Sequence, residues 1–284
     1  MKDREMFYFS DEELLDLLHQ DVPYLDNTSF GLGISGNACL EFFPKNQEII
    51  LCGIDECERL ARLENLQYTS NANNATCIAP KEIFLALQGD AQKLLRVAKT
   101  FQNILEYASS IATYTHKMLQ LAKDKNPNIA LLGTRKTMPF AKKLLLKALV
   151  SGGGIPHRLG LSDSILLFKE HRLLCKNLES DFKRLKNTFK EHKIIVEVEN
   201  LKEAQKFATL GADILQCERF SVKDLSLAIK EIKTHFPHIL FSATGGIDID
   251  NVAEFASSGV DMIVSTAMYR AKICDVKAQF HKIS

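Results

Sequence analysis

The chain has 284 residues, with 36 Lys and Arg against 35 Asp and Glu and a net charge of +1. At 46% hydrophobic and 25% charged residues it has a globular composition and room for two domains, while its apolar runs fall far short of a membrane span. The near-zero balance excludes a global attraction to nucleic acid, so any anion site must be local.

The opening MKDREMFYFSDEELL carries acidic residues where an export signal would be apolar, and the seven cysteines show no paired spacing. Cys52 and Cys57, the closest pair, lack the further ligands of a zinc site. Both features point to reduced thiols in a cytoplasmic protein.

Ser10-Asp11-Glu12-Glu13 before Leu14 and Leu15 reads as a capping box that opens a helix. Runs rich in β-formers follow at 38–43 and 48–54, then a short helical stretch near 56–64, a loop at 71–74 and a strand at 83–87 closed by Gly89. This irregular mixture predicts an N-terminal α+β domain over 1–110. A long helical pattern from Ala91 to about Leu121 bridges to the second half.

After Asn128 the strands IALL, ILLF, IIVEVE, DILQ, ILFSA and DMIV alternate with helices such as 202–210 and 222–233. TLGADIL and SSGVDMI repeat one junction, a glycine that stops a helix and a short step into a strand. The alternation predicts a C-terminal α/β barrel of parallel strands over 111–284, with a last helix packing back on the N-terminal domain.

A parallel barrel works at the C-terminal ends of its strands. Those ends carry Arg135 and Lys136, Lys169 and His171, Glu197 and Glu199, Glu218, Thr244-Gly245-Gly246 and Ser265-Thr266. Thr244-Gly245-Gly246 before a helix offers a hydroxyl and backbone amides to a phosphate, and Ser265-Thr266 would complete the cradle. Glu199 and Glu218 suit a magnesium ion held through water, with Glu197 as a further carboxylate. Lys136 can neutralise a diphosphate; Arg135, His157 and Arg158, beside Gly152 to Gly154, can grip a carboxylate. No nucleophile is paired with a base, which points to positioning and charge stabilisation.

The motifs GTRKT (133–137), GGGIPHRLGLSD (152–163), VEVEN (196–200), GADIL (211–215) and TGGI (244–247) together resemble the nicotinate-nucleotide pyrophosphorylase, or quinolinate phosphoribosyltransferase, family. PHRLGLSDSILLF followed by HR, and STAMY (265–269), look most like its ModD branch, which is associated with molybdenum transport genes. The resemblance implies an N-terminal α/β sandwich domain packed on a C-terminal α/β barrel, in a homodimer or a higher assembly of dimers that moves a phosphoribosyl group from phosphoribosyl pyrophosphate, with magnesium, to a ring nitrogen. It implies that Arg135, His157 and Arg158 contact the acceptor carboxylate, Lys136 the donor, Glu199 the ribose and metal, and Thr244 and Gly245 the 5′-phosphate.

The departures fall mostly on the acceptor side. Family arginine becomes Lys99, which keeps charge without bidentate geometry. A family lysine becomes Phe168, a loss of about ten- to a hundredfold in affinity for a second carboxylate. Aspartate becomes Glu218, serine becomes Thr244 and glycine becomes Thr266. Three readings follow: a ModD-type phosphoribosyltransferase with a less acidic acceptor, a quinolinate phosphoribosyltransferase, or a non-catalytic binder of a phosphometabolite or oxyanion.

Overall fold

The computed structural model describes residues 7–283, so residues 1–6, at the head of the segment read against export, lie outside the described residues. The chain clusters into two compact units, Met1–His116 with Thr137–Gly153 and Tyr269–Ser284, and Lys117–Lys136 with Gly154–Met268.

In the first unit, α1 (Asp11–Asp21) opens on the expected capping box: Glu13 N donates to Ser10 Oγ at 3.1 Å and Ser10 N to Glu13 Oε2 at 2.7 Å. Next come α2 (Asn27–Gly31), β1 (Asn37–Pro44) and β2 (Ile49–Ile50). The run expected as a strand over 48–54 forms only β2, because Gly53 adopts a φ of 96° and Ile54 starts a helix. A side chain at Gly53 would also meet Ile104 Cγ2 at 2.6 Å. That helix, α3 (Ile54–Leu63), is followed by β3 (Gln67–Ser70), β4 (Cys77–Ile78) and β5 (Leu85–Asp90). Antiparallel pairing joins β5 to both β1 and β3. The long helix α4 (Ala91–Lys123) then runs for 33 residues.

The second unit is a parallel sheet. Its strands are β6 (Ala130–Gly133), β7 (Ile155–Pro156), β8 (Ile165–Leu167), β9 (Ile194–Val198), β10 (Ile214–Glu218), β11 (Leu240–Thr244) and β12 (Met262–Ser265). Helix α5 (Lys142–Ser151), which belongs to the first unit, lies between β6 and β7 in the chain. The other intervening helices are α6 (Lys169–Leu174), α7 (Leu178–Thr188), α8 (Leu201–Leu210), α9 (Val222–His235) and α10 (Val252–Ser257). The ladder runs β7-β6-β12-β11-β10-β9-β8. It ends at β7 and β8, and the curl of the sheet brings together side chains just past those two edges: the Arg158 guanidinium lies 5.6 Å from the centroid of Phe168. Strand β7 escapes the sequence reading because it is two residues long and one of them is proline.

The repeated junction has a repeated job. Gly211 and Gly259 take φ values of 89° and 92°, which end the preceding helices and lead to Asp213 and Asp261. The Asp213 carboxylate accepts from Ile194 N at 2.7 Å, and the Asp261 carboxylate from Phe241 N at 2.8 Å. Each aspartate thus satisfies the amide at or near the start of another strand, at the end of the sheet opposite the strands' C-termini.

The segment expected as a last helix is a strand, β13 (Val276–Lys282), in the first unit. It pairs antiparallel with β1, from Ala38 opposite Lys282 to Pro44 opposite Val276. A partner strand at the far end of the chain supplies the hydrogen bonds, and this the local pattern does not reveal. Asp261→Ala leaves the Phe241 amide without its carboxylate partner, and urea unfolding should show a loss of about 1–3 kcal/mol; an unchanged midpoint would mean that water replaces the bond at no cost.

Candidate active site

Parallel strand order collects side chains at one mouth. Thr134, Arg135 and Lys136 follow β6, His157 and Arg158 follow β7, and Phe168 follows β8; all line one cleft within the second unit. Glu197, Gln216, Glu218 and Thr244 line it from β9, β10 and β11. Leu166, Ile195 and Ile214 form an apolar cluster deeper in the sheet, with Phe168, Leu240 and Met262 packed on it.

One wall is cationic. Arg158 is only 5% exposed; its Nη1 donates to Ser164 O at 3.4 Å and its Nη2 has no partner among the described residues. Burial, and then the neighbouring charge of Arg135, lowers its pKa, though an arginine remains charged. His157 is pushed down to about 4 by burial and by the charges of Arg158 and Arg135. At neutral pH its imidazole is therefore uncharged, a hydrogen-bonding group between two cations.

The other wall is acidic. Burial, then the charge of Glu218, raises the pKa of Glu197, against the hydrogen bond from Gln216 Nε2 at 3.4 Å. A half-buried carboxylate whose ionisation is opposed by a neighbouring negative charge favours a cation beside it.

The third feature is the turn after β11. Gly245 has a φ of 92°, and a side chain there would meet Arg219 Cγ at 2.6 Å and Glu218 Oε1 at 2.9 Å. Only glycine lets this turn lie against the end of β10. Gly246 follows at a φ of 75°, and Asn251 Nδ2 donates back to Gly246 O at 2.9 Å. Helix α10 does not begin until Val252, so the turn offers its own amides and the Thr244 hydroxyl rather than a helix end.

Several residues singled out in the sequence are not among those that line this cleft. Strand β9 stops at Val198, so the alternation that would place Glu199 beside Glu197 ends one residue too soon. Glu199 is exposed and paired with Lys169 at 3.0 Å, and does not line the cleft. Arg172, the arginine of the HR pair that follows the ILLF strand, pairs with Glu203 at 3.0 Å. His171 stacks on Phe168, with centroids 5.8 Å apart, and its Nδ1 accepts from Phe168 N at 3.0 Å. Ser265 is buried, with its hydroxyl donating to Ile247 O at 2.6 Å and accepting from Ala267 N at 3.0 Å. Thr266 shares a hydrogen bond of 2.9 Å with Thr134. Lys99 lies on α4 in the first unit, where its ammonium donates to Gln102 Oε1 at 2.7 Å. Gln216 was not singled out, although a glutamine two residues before Glu218 in an otherwise buried strand shares that carboxylate's face.

The family model of the quinolinate phosphoribosyl transferase C-terminal domain matches residues 111–279, and that of the N-terminal domain matches 26–109. The chain belongs to the quinolinate phosphoribosyltransferase family. Among relatives, the chain is similar to a protein named as the pyrophosphorylase ModD of Pasteurella multocida, 32% identical over 281 residues that cover 98% of this chain and 99% of that one. A protein named as a carboxylating nicotinate-nucleotide pyrophosphorylase from Methanothermobacter thermautotrophicus is 29% identical over 251 residues, 87% of this chain and 90% of that one. The solved nicotinate-nucleotide pyrophosphorylase of Francisella tularensis superposes with a TM-score of 0.87 at 25% identity, covering 95% of both chains. The mixed α/β architecture read from the sequence is thus the architecture of this family.

The charge state of His157 can be measured. NMR titration should give a midpoint near 4, moved upward in Arg135→Gln. Because folding lowers this pKa from 6.5, the unfolded chain takes up the proton first, so stability falls as pH drops from about 6.5 to about 4. His157→Gln should flatten that part of the curve; an unaltered pH dependence would mean that His157 is not the group responsible.

Proposed function

We propose that the chain is a ModD-type phosphoribosyltransferase: it moves the phosphoribosyl group of phosphoribosyl pyrophosphate onto the ring nitrogen of a small carboxylated heteroaromatic acceptor other than quinolinate. The observation that carries this reading is the single cleft, with Arg135, Lys136 and Arg158 on one side, Glu197 and Glu218 on the other, and the Thr244 turn at its rim.

The donor fits the part of the cleft built from the Thr244 turn, Lys136 and the carboxylates. The Thr244 hydroxyl and the amides of Gly245 and Gly246 suit the 5′-phosphate, and the ammonium of Lys136 suits the pyrophosphate. Magnesium is compatible with Glu197 and Glu218, since this ion commonly takes one or two carboxylates while keeping water and phosphate oxygens. When bound, the ion would supply charge neutralisation to the pyrophosphate. Glu197, and not Glu199, is the partner of Glu218 in this account.

Arg158, Arg135 and neutral His157 hold the acceptor by its carboxylate. The ring nitrogen lone pair forms the bond to the ribose anomeric carbon as the bond from that carbon to pyrophosphate breaks, and the electron pair leaves with the pyrophosphate. The chain contributes orientation and fixed charge, without a covalent intermediate.

Phe168 argues against quinolinate as acceptor, since its ring covers Arg158 where a second cation would be needed for a second carboxylate. The likeness to the Methanothermobacter protein keeps the carboxylating reaction as the second reading. No helix among the described residues is long and apolar enough to cross a membrane. A cytoplasmic homodimer, in the molybdenum-transport setting of ModD proteins, completes the proposal.

Calorimetry should show phosphoribosyl pyrophosphate binding with magnesium, weakened about ten- to a hundredfold in Lys136→Ala. No binding by the wild type, or equal binding by the variant, contradicts the proposal. Release of carbon dioxide with formation of nicotinate mononucleotide from quinolinate, at rates typical of an enzyme, would favour the second reading.

A further inference from the structure

Two buried polar atoms belonging to residues of the cleft lack partners, and they differ in kind. Arg158 Nη2 is a donor without an acceptor, and Gln216 Oε1 an acceptor without a donor. Their residues are 5% and 4% exposed, so solvent does not readily supply what is missing. The orientation of the Gln216 amide follows from its other bond, because Nε2 donates to the Glu197 carboxylate and so leaves Oε1 as the group still to be satisfied. Nor does the adjacent strand provide a donor. Ser242, opposite Gln216 in the ladder, leaves its own Oγ without a partner.

Unsatisfied buried groups in a cleft are a partial description of its ligand. The guanidinium asks for an anion, and the amide carbonyl asks for an N–H or O–H. Phe168, in contact with both Arg158 and His171, supplies an aromatic face rather than another charge.

We propose that Gln216 selects the acceptor: its Oε1 receives a hydrogen bond from an amino, ring N–H or hydroxyl group on a heteroaromatic ring whose single carboxylate is held by Arg158. This rests on the phosphoribosyltransferase reading and narrows it, because the acceptor becomes a monocarboxylate with a hydrogen-bond donor rather than a dicarboxylate. A ring without the donor leaves the buried carbonyl unpaired, and a site built around a buried hydrogen bond rejects such an analogue strongly.

The test is calorimetry on the full chain with pyridine-3-carboxylate, the same ring carrying an amino or hydroxyl group at each free position in turn, and pyridine-2,3-dicarboxylate. The wild type should bind at least one donor-bearing ring about tenfold or more tightly than the parent ring and the dicarboxylate. In Gln216→Met, of similar size but without the carbonyl, that preference should shrink to about twofold or less. A wild type that binds parent and donor-bearing rings alike, or prefers the dicarboxylate, overturns the proposal whether or not the variant folds. Phosphoribosyl pyrophosphate is titrated into both proteins. A loss of its affinity in Gln216→Met would assign the hydrogen bond to a ribose hydroxyl and overturn the acceptor assignment. Donor binding by the wild type without any preference in the ring panel sinks this inference alone, whereas absence of donor binding sinks the phosphoribosyltransferase reading itself.

Discussion

Seven parallel strands all end at the same side of their sheet, and the curl of that sheet brings side chains from beyond its two edge strands together where Arg158 lies over Phe168. Residues scattered from Thr134 to Val264 reach one cleft only under this constraint. Parallel order decides which end of each strand carries chemistry. The aspartates Asp213 and Asp261, which tie strand to strand at the opposite end, use the same geometry for stability.

The electrostatics follow from this arrangement. Cations gather after β6 and β7, and carboxylates stand on β9 and β10, so the cleft has opposite walls without any net charge on the molecule to speak of. Burial then sharpens the contrast: it keeps His157 neutral, disfavours ionisation of Glu197 and leaves an Arg158 donor unpaired. The proposed ligand, an anion accompanied by a cation, offers a partner to each of these groups.

The sequence carried much of this because the determinants are local. Strands β6 and β8 through β12 are short apolar runs between amphipathic helices, and the glycine-aspartate junctions recur visibly. What it hid depended on distance or on where a strand stops. β7 is too short to show a pattern, and β13 is defined by a partner at the other end of the chain. Glu199 looked like the neighbour of Glu197 on one face, but the strand ends between them. Ser265 and Thr266 occupy the expected strand end, yet their hydroxyls bond to Ile247 O and Thr134. Composition and spacing name the residue types near a mouth; which of them are already satisfied by the fold is visible only in three dimensions.

The proposed donor, a phosphorylated sugar diphosphate, has to lie in this one cleft between its unlike walls. A crystal structure with magnesium and a non-hydrolysable analogue of phosphoribosyl pyrophosphate tests it most directly. The 5′-phosphate should rest on the turn from Thr244 to Gly246, the pyrophosphate beside Lys136 and the ion near Glu197 and Glu218. An analogue bound away from these residues, or with its phosphates on the Arg158 side and the Thr244 turn empty, would contradict the account.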